Sequence, residues 1–491
     1  MSTSEPSTAV AEPHSDRGFF GHPSSLATLF GVEMWERFSF YGMQGILAIY
    51  LYYTAAEGGL GISKTAATGI VGAYGGAVYL SAILGAWVAD RLFGPERTLY
   101  YSAVGIMLGH IALAVIPGLG GVGVGLVLVA LGSGGLKANA TAIVGTLYDK
   151  SDTRRDAGFS LFYLGVNLGA LIGPLLTGLL QKEVGFHWGF GLAAVGMAAG
   201  LFQYRLGRKR LPAAASHVSN PLPANERGRW IVIAVVAIAV IAGAVALGWI
   251  TVDNLSNIVI VVAVIAVIAL FTIILKDREI TSDERSRVVS FIPLFLGSVA
   301  FWSLYQQQFT VLTIYSDEQL NRSIFGWEMP VSWVNSINPV FIIILSGVFA
   351  AMWTKLGNRQ PPAPVKFALA CLGMGVAFLL FLVTAGGGKN STPLMWMVLI
   401  LFIFTLAELC LSPVGMSLST KLAPEKFSTQ MIALFYLSVS LGSTIAGELA
   451  GLYTTWPETR YFSMLGLISI VLGVVLWVAA KPILKLMRGV R

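Results

Sequence analysis

Long apolar runs recur along this chain, separated by short polar breaks. Runs long enough to cross a bilayer as helices fall at about 27–53, 66–89, 98–117, 121–147, 157–181, 187–206, 230–250, 256–275, 288–315, 329–354, 364–385, 393–420, 428–451 and 461–481. The pattern predicts fourteen transmembrane helices. The seventh and eighth stand apart. Residues 230–275 are almost purely Ile, Val and Ala, with Asp253 and Asn254 at the turn. A basic linker precedes them and a charged one follows. They read as a lipid-facing structural insert between two six-helix halves. The expected organisation is a disordered N-tail (1–25), a six-helix bundle (26–208), a linker (209–229), the insert (230–275), a second linker (276–287), a second bundle (288–485) and a tail (486–491).

Charge orients this layout. With the N-terminus inside, the cytoplasmic segments carry 25 Lys and Arg and the external loops carry five, namely Lys64, Lys182, Arg322, Lys389 and Arg460. Arg37 and Lys137 lie inside spans. The asymmetry follows the positive-inside rule and predicts cytoplasmic termini and a multi-pass protein of the cell (inner) membrane. Composition agrees. Hydrophobic residues make up 55% and charged residues 12%, against about 25% charged in soluble domains, and mean hydropathy is +0.74. The net charge of +7 therefore reflects membrane topology and not nucleic-acid binding. Cys371 and Cys410 sit in apolar runs and imply neither a disulfide framework nor a metal site. The five histidines (His14, His22, His110, His187 and His217) show no ligand spacing, and no nucleophile–base constellation is visible. The N-tail lacks an apolar core, so no cleavable signal peptide is expected.

Few strong polar groups remain at membrane depth. The first span holds Glu33, Glu36 and Arg37, then Tyr41 and Gln44. The three charges share one helix face, and Arg37, Tyr41 and Gln44 continue it at i, i+4, i+7. The fourth span holds Lys137 after the small residues Gly132-Ser-Gly-Gly, which let a neighbour approach closely. The fifth holds Tyr163 and Asn167 before Pro174. The ninth holds Trp302 and Gln306-Gln307-Gln308, the tenth Asn335 and Asn338, and the twelfth Glu408 with Ser412-Pro413. A charge at the bilayer centre costs about 2.5–3.5 kcal/mol even on a lenient scale. A lone buried Lys needs an anion, and a lone buried Glu needs a cation or a proton. Opposite charges on two halves, facing one central cavity, satisfy both requirements.

These residues carry a resemblance. Glu33-x-x-Glu36-Arg37-Phe38-x-x-Tyr41-Gly42 resembles the ExxERFxYYG motif of the proton-dependent oligopeptide transporters, within the major facilitator superfamily. Ala73-Tyr74 through Gly85-Ala-Trp-Val-Ala-Asp90-Arg91, the Gly-Ser-Gly-Gly-Leu-Lys137 stretch, Phe162-Tyr163-Leu-Gly-Val-Asn167-Leu-Gly-Ala170 and Glu408-Leu-Cys-Leu-Ser412-Pro413-Val-Gly resemble the same family. The likeness covers nearly the whole chain, including a two-helix insert typical of bacterial members. It implies an all-α integral membrane protein of the major facilitator fold: two six-helix bundles plus the insert. It also implies a proton-coupled symporter, not an enzyme, importing di- and tripeptides and peptide-like molecules by alternating access. Such a symporter acts as a monomer in the lipid bilayer, driven by the proton gradient and with no cofactor. By the resemblance, Lys137 and Arg37 hold the peptide carboxylate, and Glu408, Asn338 and Asn167 hold its amino end. Tyr41, Tyr74, Tyr163 and Trp302 shape side-chain pockets, and Gln44, Gln306 and Ser412 belong to the same substrate site. Glu33, Glu36, Arg37 and Glu408 couple proton binding to transport.

The sequence departs from the family pattern in places. Many members carry an Arg at Gln44 and a Glu at Gln306, paired across the halves. Losing one would strand a buried charge, at about 3–5 kcal/mol. Losing both removes the problem, and two glutamines can still hydrogen-bond. More weight falls on Arg37, Lys137 and the first-span glutamates. Ala138 stands where the family usually has Pro. The histidine that mammalian-type members carry on the second span is replaced, with Gly72 at that position. A same-fold carrier of nitrate, a drug or an amino-acid conjugate is the alternative on this scaffold. A non-transporting receptor or membrane enzyme is the alternative outside it.

Overall fold

We describe a computed structural model covering residues 18–149, 152 and 154–490. His14 and most of the expected N-tail lie outside the described residues. Helices α1 (Ser24–Tyr52), α2 (Lys64–Val88), α3 (Pro95–Val115), α4 (Gly118–Thr146), α5 (Arg155–Glu183) and α6 (Phe186–Gly207) form the first group. Helices α7 (Ala224–Ala246) and α8 (Leu255–Lys276) follow. The second group is α9 (Ser282–Tyr305), short α10 (Val311–Glu318), α11 (Ile337–Leu356), α12 (Ala363–Leu380), α13 (Leu394–Leu422), α14 (Ser428–Tyr453) and α15 (Glu458–Leu486). Apart from α10, these are the fourteen expected spans. Among the described residues twelve helical stretches are long and apolar enough to cross a membrane, with α9 and α10 forming one of them. The other two are α1, which carries the three charges, and α6. Among the described residues, strand is limited to one short hairpin, Ser323–Ile324 with Trp327–Glu328.

Proline sets many helix starts. Pro23, Pro117, Pro223, Pro362, Pro393 and Pro457 are the N-caps of α1, α4, α7, α12, α13 and α15. There the missing N–H breaks no helical bond. In the first group α1 packs on α5 and α6, α3 on α4 and α6, and α2 on α4. Small residues set these distances. A Cβ on Gly85 would lie 2.4 Å from the Cα of Gly135, and Ser81 donates to the Ala130 carbonyl at 2.6 Å. In the second group α12 packs on α13 and α15, and α9 on α14 and α15.

The two groups meet where α2 crosses α14 and where α5 meets α11 and the 3-10 turn Val331–Ser336. At the first crossing a Cβ on Gly72 would lie 2.6 Å from the Cα of Gly447, and Ser440 donates to the Gly76 carbonyl at 2.8 Å. An imidazole does not fit at Gly72 in this state. Helix α7 buries none of its residues, whereas α8 packs against both α2 and α14. Its Ser256 hydroxyl bonds Glu448 of α14.

The N-tail, expected to be disordered, and the linker at 209–229 are both ordered where described. Phe19 bridges His22, and the His22 ring bonds the Tyr148 hydroxyl at 2.9 Å. Aromatic residues hidden in a polar stretch give residues 18–22 something to pack. In the linker that holds His217, Ala215 is fully buried, and the amides of Asn220 and Leu222 donate to the carbonyls of Asp90 and Arg91.

Candidate functional site

The charged face of α1 is held against α5 by close backbone contact. A Cβ on Gly169 would lie 2.1 Å from the Met34 carbonyl, and Thr177 donates to the Gly42 carbonyl at 2.9 Å. Within this support Arg37 Nε lies 2.8 Å from Glu33 Oε1 and 3.0 Å from Glu36 Oε2. Ser133 of α4 donates to Glu36 Oε1 at 2.8 Å. All three charged side chains are buried, and among the described residues Glu33 Oε2 makes no hydrogen bond and Glu36 Oε2 has the Arg37 ion pair alone. One arginine thus serves two glutamates.

Lys137 completes the charge on this wall. Its ammonium lies 4.9 Å from the Phe40 ring centroid and 4.4 Å from that of Tyr79. Among the described residues it makes no salt bridge. Cation–π contact holds the ammonium in place without neutralising it.

The opposite wall belongs to the second group. Glu408 Oε2 accepts from the Tyr305 hydroxyl at 2.7 Å and from Asn338 Nδ2 at 3.2 Å. Asn338 Nδ2 also reaches Thr405 at 3.0 Å. The Trp302 ring packs edge-on against Tyr305, and among the described residues its indole N–H has no hydrogen-bond partner. Gly442 lets α14 pass beneath it, 2.4 Å from the Trp302 Cβ if a Cβ were added.

Between the walls lie two connected spaces. The inner chamber, about 170 Å³, is lined by Tyr41, Tyr163, Asn167, Trp302, Tyr305, Gln306, Asn338, Glu408 and Ser412, among others. The vestibule, about 610 Å³, reaches Glu33, Arg37 and Lys137. Tyr79, Tyr163, Trp302 and Ser412 line both. Most of the residues expected in a site are therefore brought together.

Three are not: Glu36, Gln44 and Tyr74 line neither space. Tyr41 stacks on Phe309 at 6.0 Å and roofs the chamber. Gln44, one turn beyond, is buried, and among the described residues its Oε1 has no hydrogen-bond partner. Tyr74 is buried behind Phe40, and among the described residues its hydroxyl also lacks a hydrogen-bond partner. Among the described residues no hydrogen bond joins Gln44 to Gln306, contrary to the bond the double replacement allowed. Gln306 begins a 3-10 break, Gln306–Phe309, between α9 and α10, and this swings it onto the chamber.

The chamber is shut at one end. Asp317 accepts from the hydroxyls of Tyr52 at 2.8 Å and Tyr53 at 2.7 Å, and Lys64 pairs with Glu318. Ser332, Trp333 and Ser336 donate to the carbonyls of Pro174, Leu175 and Leu171. At the other end the vestibule runs out past Phe159, Met416 and Phe435. Sequence reasoning missed Tyr79, Tyr305, Phe309 and Asp317. The aromatic ones carry no periodic signal inside apolar runs. Asp317 sits at a helix end, where a charge is unremarked.

A model of the POT family matches residues 96–471. The chain belongs to the POT family. This POT-family chain is 44% identical over 478 residues to the uncharacterized transporter YclF of Bacillus subtilis (strain 168), covering 96% of this chain and 97% of the relative. It is 39% identical to the di-/tripeptide transporter of Lactococcus lactis subsp. cremoris, covering 97% and 99%. Its structure is similar to that of a variant of the peptide transporter POT in complex with alafosfalin. There the TM-score is 0.91 and the identity 45%, covering 96% of this chain and 98% of that one. The fold is therefore that of major facilitator transporters, and the protein is a multi-pass membrane transporter.

Proposed function

We propose that this protein imports di- and tripeptides together with protons, by alternating access across the cell membrane. The observation that carries the reading is the opposition of Lys137 and Glu408 across one connected cavity. A zwitterion of peptide length offers each wall its counter-charge. Its carboxylate meets Lys137 and Arg37; its ammonium meets Glu408, held by Tyr305 and Asn338, with Asn167 alongside. Backbone ends are read by charge, and side chains are left to Tyr41, Tyr163, Trp302 and the vestibule. The named relatives with peptide substrates support the same reading.

The proton acts at the α1 cluster. Arg37 is shared between Glu33 and Glu36, so protonating either glutamate frees part of its guanidinium for the substrate carboxylate. The same proton removes a negative charge from a buried face, which lowers the barrier to closing that face against the other half. The positive-inside distribution of Lys and Arg supports cytoplasmic termini, and on that reading the open vestibule is the cytoplasmic exit and the Asp317 seal the external gate. The driving force is the proton gradient, no cofactor takes part, and the monomer suffices.

Uptake of dialanine into proteoliposomes tests this. Acid outside should drive accumulation above equilibrium, and dipeptides should compete whereas nitrate should not. Glu33→Gln and Glu36→Gln should each uncouple uptake from the gradient while leaving counterflow exchange measurable. Full gradient-driven uptake in both variants would sink the proposed coupling. Competition by nitrate alone would point to a different solute.

A further inference from the structure

A second built hollow lies outside the transport path. It encloses about 850 Å³ between the start of α3, the end of α6 and the 3-10 turns at 208–210 and 213–216. Its polar wall carries Arg97, Arg205, Arg208 and Lys209, with Glu96 as the one acid among its lining residues. Four cations and one carboxylate leave three positive charges. Arg208 is fixed by a two-point bond to Glu96, at 2.9 and 3.0 Å, and its guanidinium lies 4.5 Å from the Tyr100 ring. Tyr204 donates to the same carboxylate at 3.3 Å. Glu96 is thereby used up within the wall. Among the described residues Arg97, Arg205 and Lys209 make no salt bridge. Unpaired basic residues are common at this end of the molecule, and what sets these three apart is that they line one hollow, beside a fixed arginine and an apolar rim.

The outer rim is apolar. Phe202 and Leu206 are each 67% exposed, and with Arg205 they share a helix face at i, i+3, i+4. That face continues along α6 through exposed Val195, so it borders the bilayer. A concave site with fixed and free cations inside and a greasy flank toward lipid matches an amphiphile with an anionic head. We propose that this hollow binds the headgroup of an anionic phospholipid, of the phosphatidylglycerol or cardiolipin class. Its phosphate lies among Arg97, Arg205 and Lys209, and an acyl chain lies along Phe202 and Leu206. Basic pockets between membrane helices recognise such headgroups by this combination of charge and shape. A zwitterionic choline lipid brings its own cation and is disfavoured. A soluble phosphate leaves the apolar rim unused.

Native mass spectrometry of the full chain, released from phosphatidylcholine nanodiscs doped with phosphatidylglycerol, tests the site. Each basic side chain near a membrane surface contributes about 1 kcal/mol, or roughly fivefold. The double variant Arg205→Gln, Lys209→Gln should therefore weaken phosphatidylglycerol retention about 25-fold. The control Lys481→Gln, Lys485→Gln, with the same charge change at the same end of the molecule, should leave it unaltered. Phe202→Ser with Leu206→Ser should also weaken phosphatidylglycerol retention, and unaltered retention in that variant would overturn the acyl-chain half of the site. Equal loss in the two double-charge variants would overturn the site, as would no loss in either. Displacement of the lipid by millimolar inorganic phosphate would overturn its assignment to a phospholipid. An unshifted melting temperature in pure phosphatidylcholine checks that each variant is folded.

Discussion

Among the described residues Glu408 is held by neutral donors alone, the Tyr305 hydroxyl and the Asn338 amide. A buried carboxylate so held is oriented but not neutralised, and it keeps most of its attraction for an incoming ammonium. Glu408→Gln preserves the shape and removes that attraction. A hydrogen bond to a charged group contributes about 1.5–3 kcal/mol, so kcat/KM for dialanine should fall roughly 10- to 150-fold, mostly through KM. Lys137→Gln should lose a similar factor. N-acetylated dialanine, which lacks the ammonium, should distinguish the two, since its residual transport depends on Lys137 and not on Glu408. Tyr305→Phe removes one neutral hydroxyl and should weaken dialanine binding about fivefold. The charged residues were legible in the sequence because a charge at membrane depth is costly and asks for a reason. Tyr305, Tyr79 and Phe309 were not, since an aromatic residue in an apolar run looks the same whether it lines a chamber or fills a core. Gln44 and Tyr74 were misplaced for a related reason. Helix spacing gives the face of a residue, but it does not give the depth at which Tyr41 and Phe309 close the cavity.

At the level of elements, the helices themselves were readable almost throughout, because hydrophobic length and proline punctuation are local. The contacts between the halves were not, because they depend on which small residues come opposite one another. The α2–α14 crossing is the clearest instance. Gly72 faces Gly447, and Gly76 lies against Thr444, where an added Cβ would stand 1.9 Å from its hydroxyl. The closed end rests on this crossing together with the Asp317 contacts. Gly447→Val should push the helices apart there and disfavour the state with that end shut. Asp317→Asn weakens the same seal more gently, by loosening its grip on Tyr52 and Tyr53. In a background with both native cysteines replaced, the near-isosteric Ser332→Cys, at the seal where the native hydroxyl bonds the Pro174 carbonyl, should react with a membrane-impermeant thiol reagent faster in either variant than in its parent. Unchanged reactivity in both would mean that the seal is held elsewhere.

For the whole molecule, the decisive quantity is the charge moved per cycle. The α1 cluster carries two glutamates and one arginine, and Lys137 above it brings that wall to zero. One added proton therefore makes the wall net positive, and a zwitterionic peptide travelling with that proton moves one positive charge inward. A membrane potential is worth about 2.3 kcal/mol per charge per 100 mV, so dialanine should accumulate roughly fiftyfold per 100 mV, negative inside, with no pH gradient present. A pH unit alone is worth about 1.4 kcal/mol, or about tenfold. An acidic dipeptide such as alanylglutamate carries one further negative charge at neutral pH. With a single proton it crosses as a neutral load. Its steady-state accumulation should ignore the potential set by a potassium ionophore and still follow the pH gradient about tenfold per unit. If the potential drives alanylglutamate as strongly as dialanine, more than one proton moves per cycle. A second site, with Glu408 the foremost candidate, would then have to be protonated alongside the α1 glutamates.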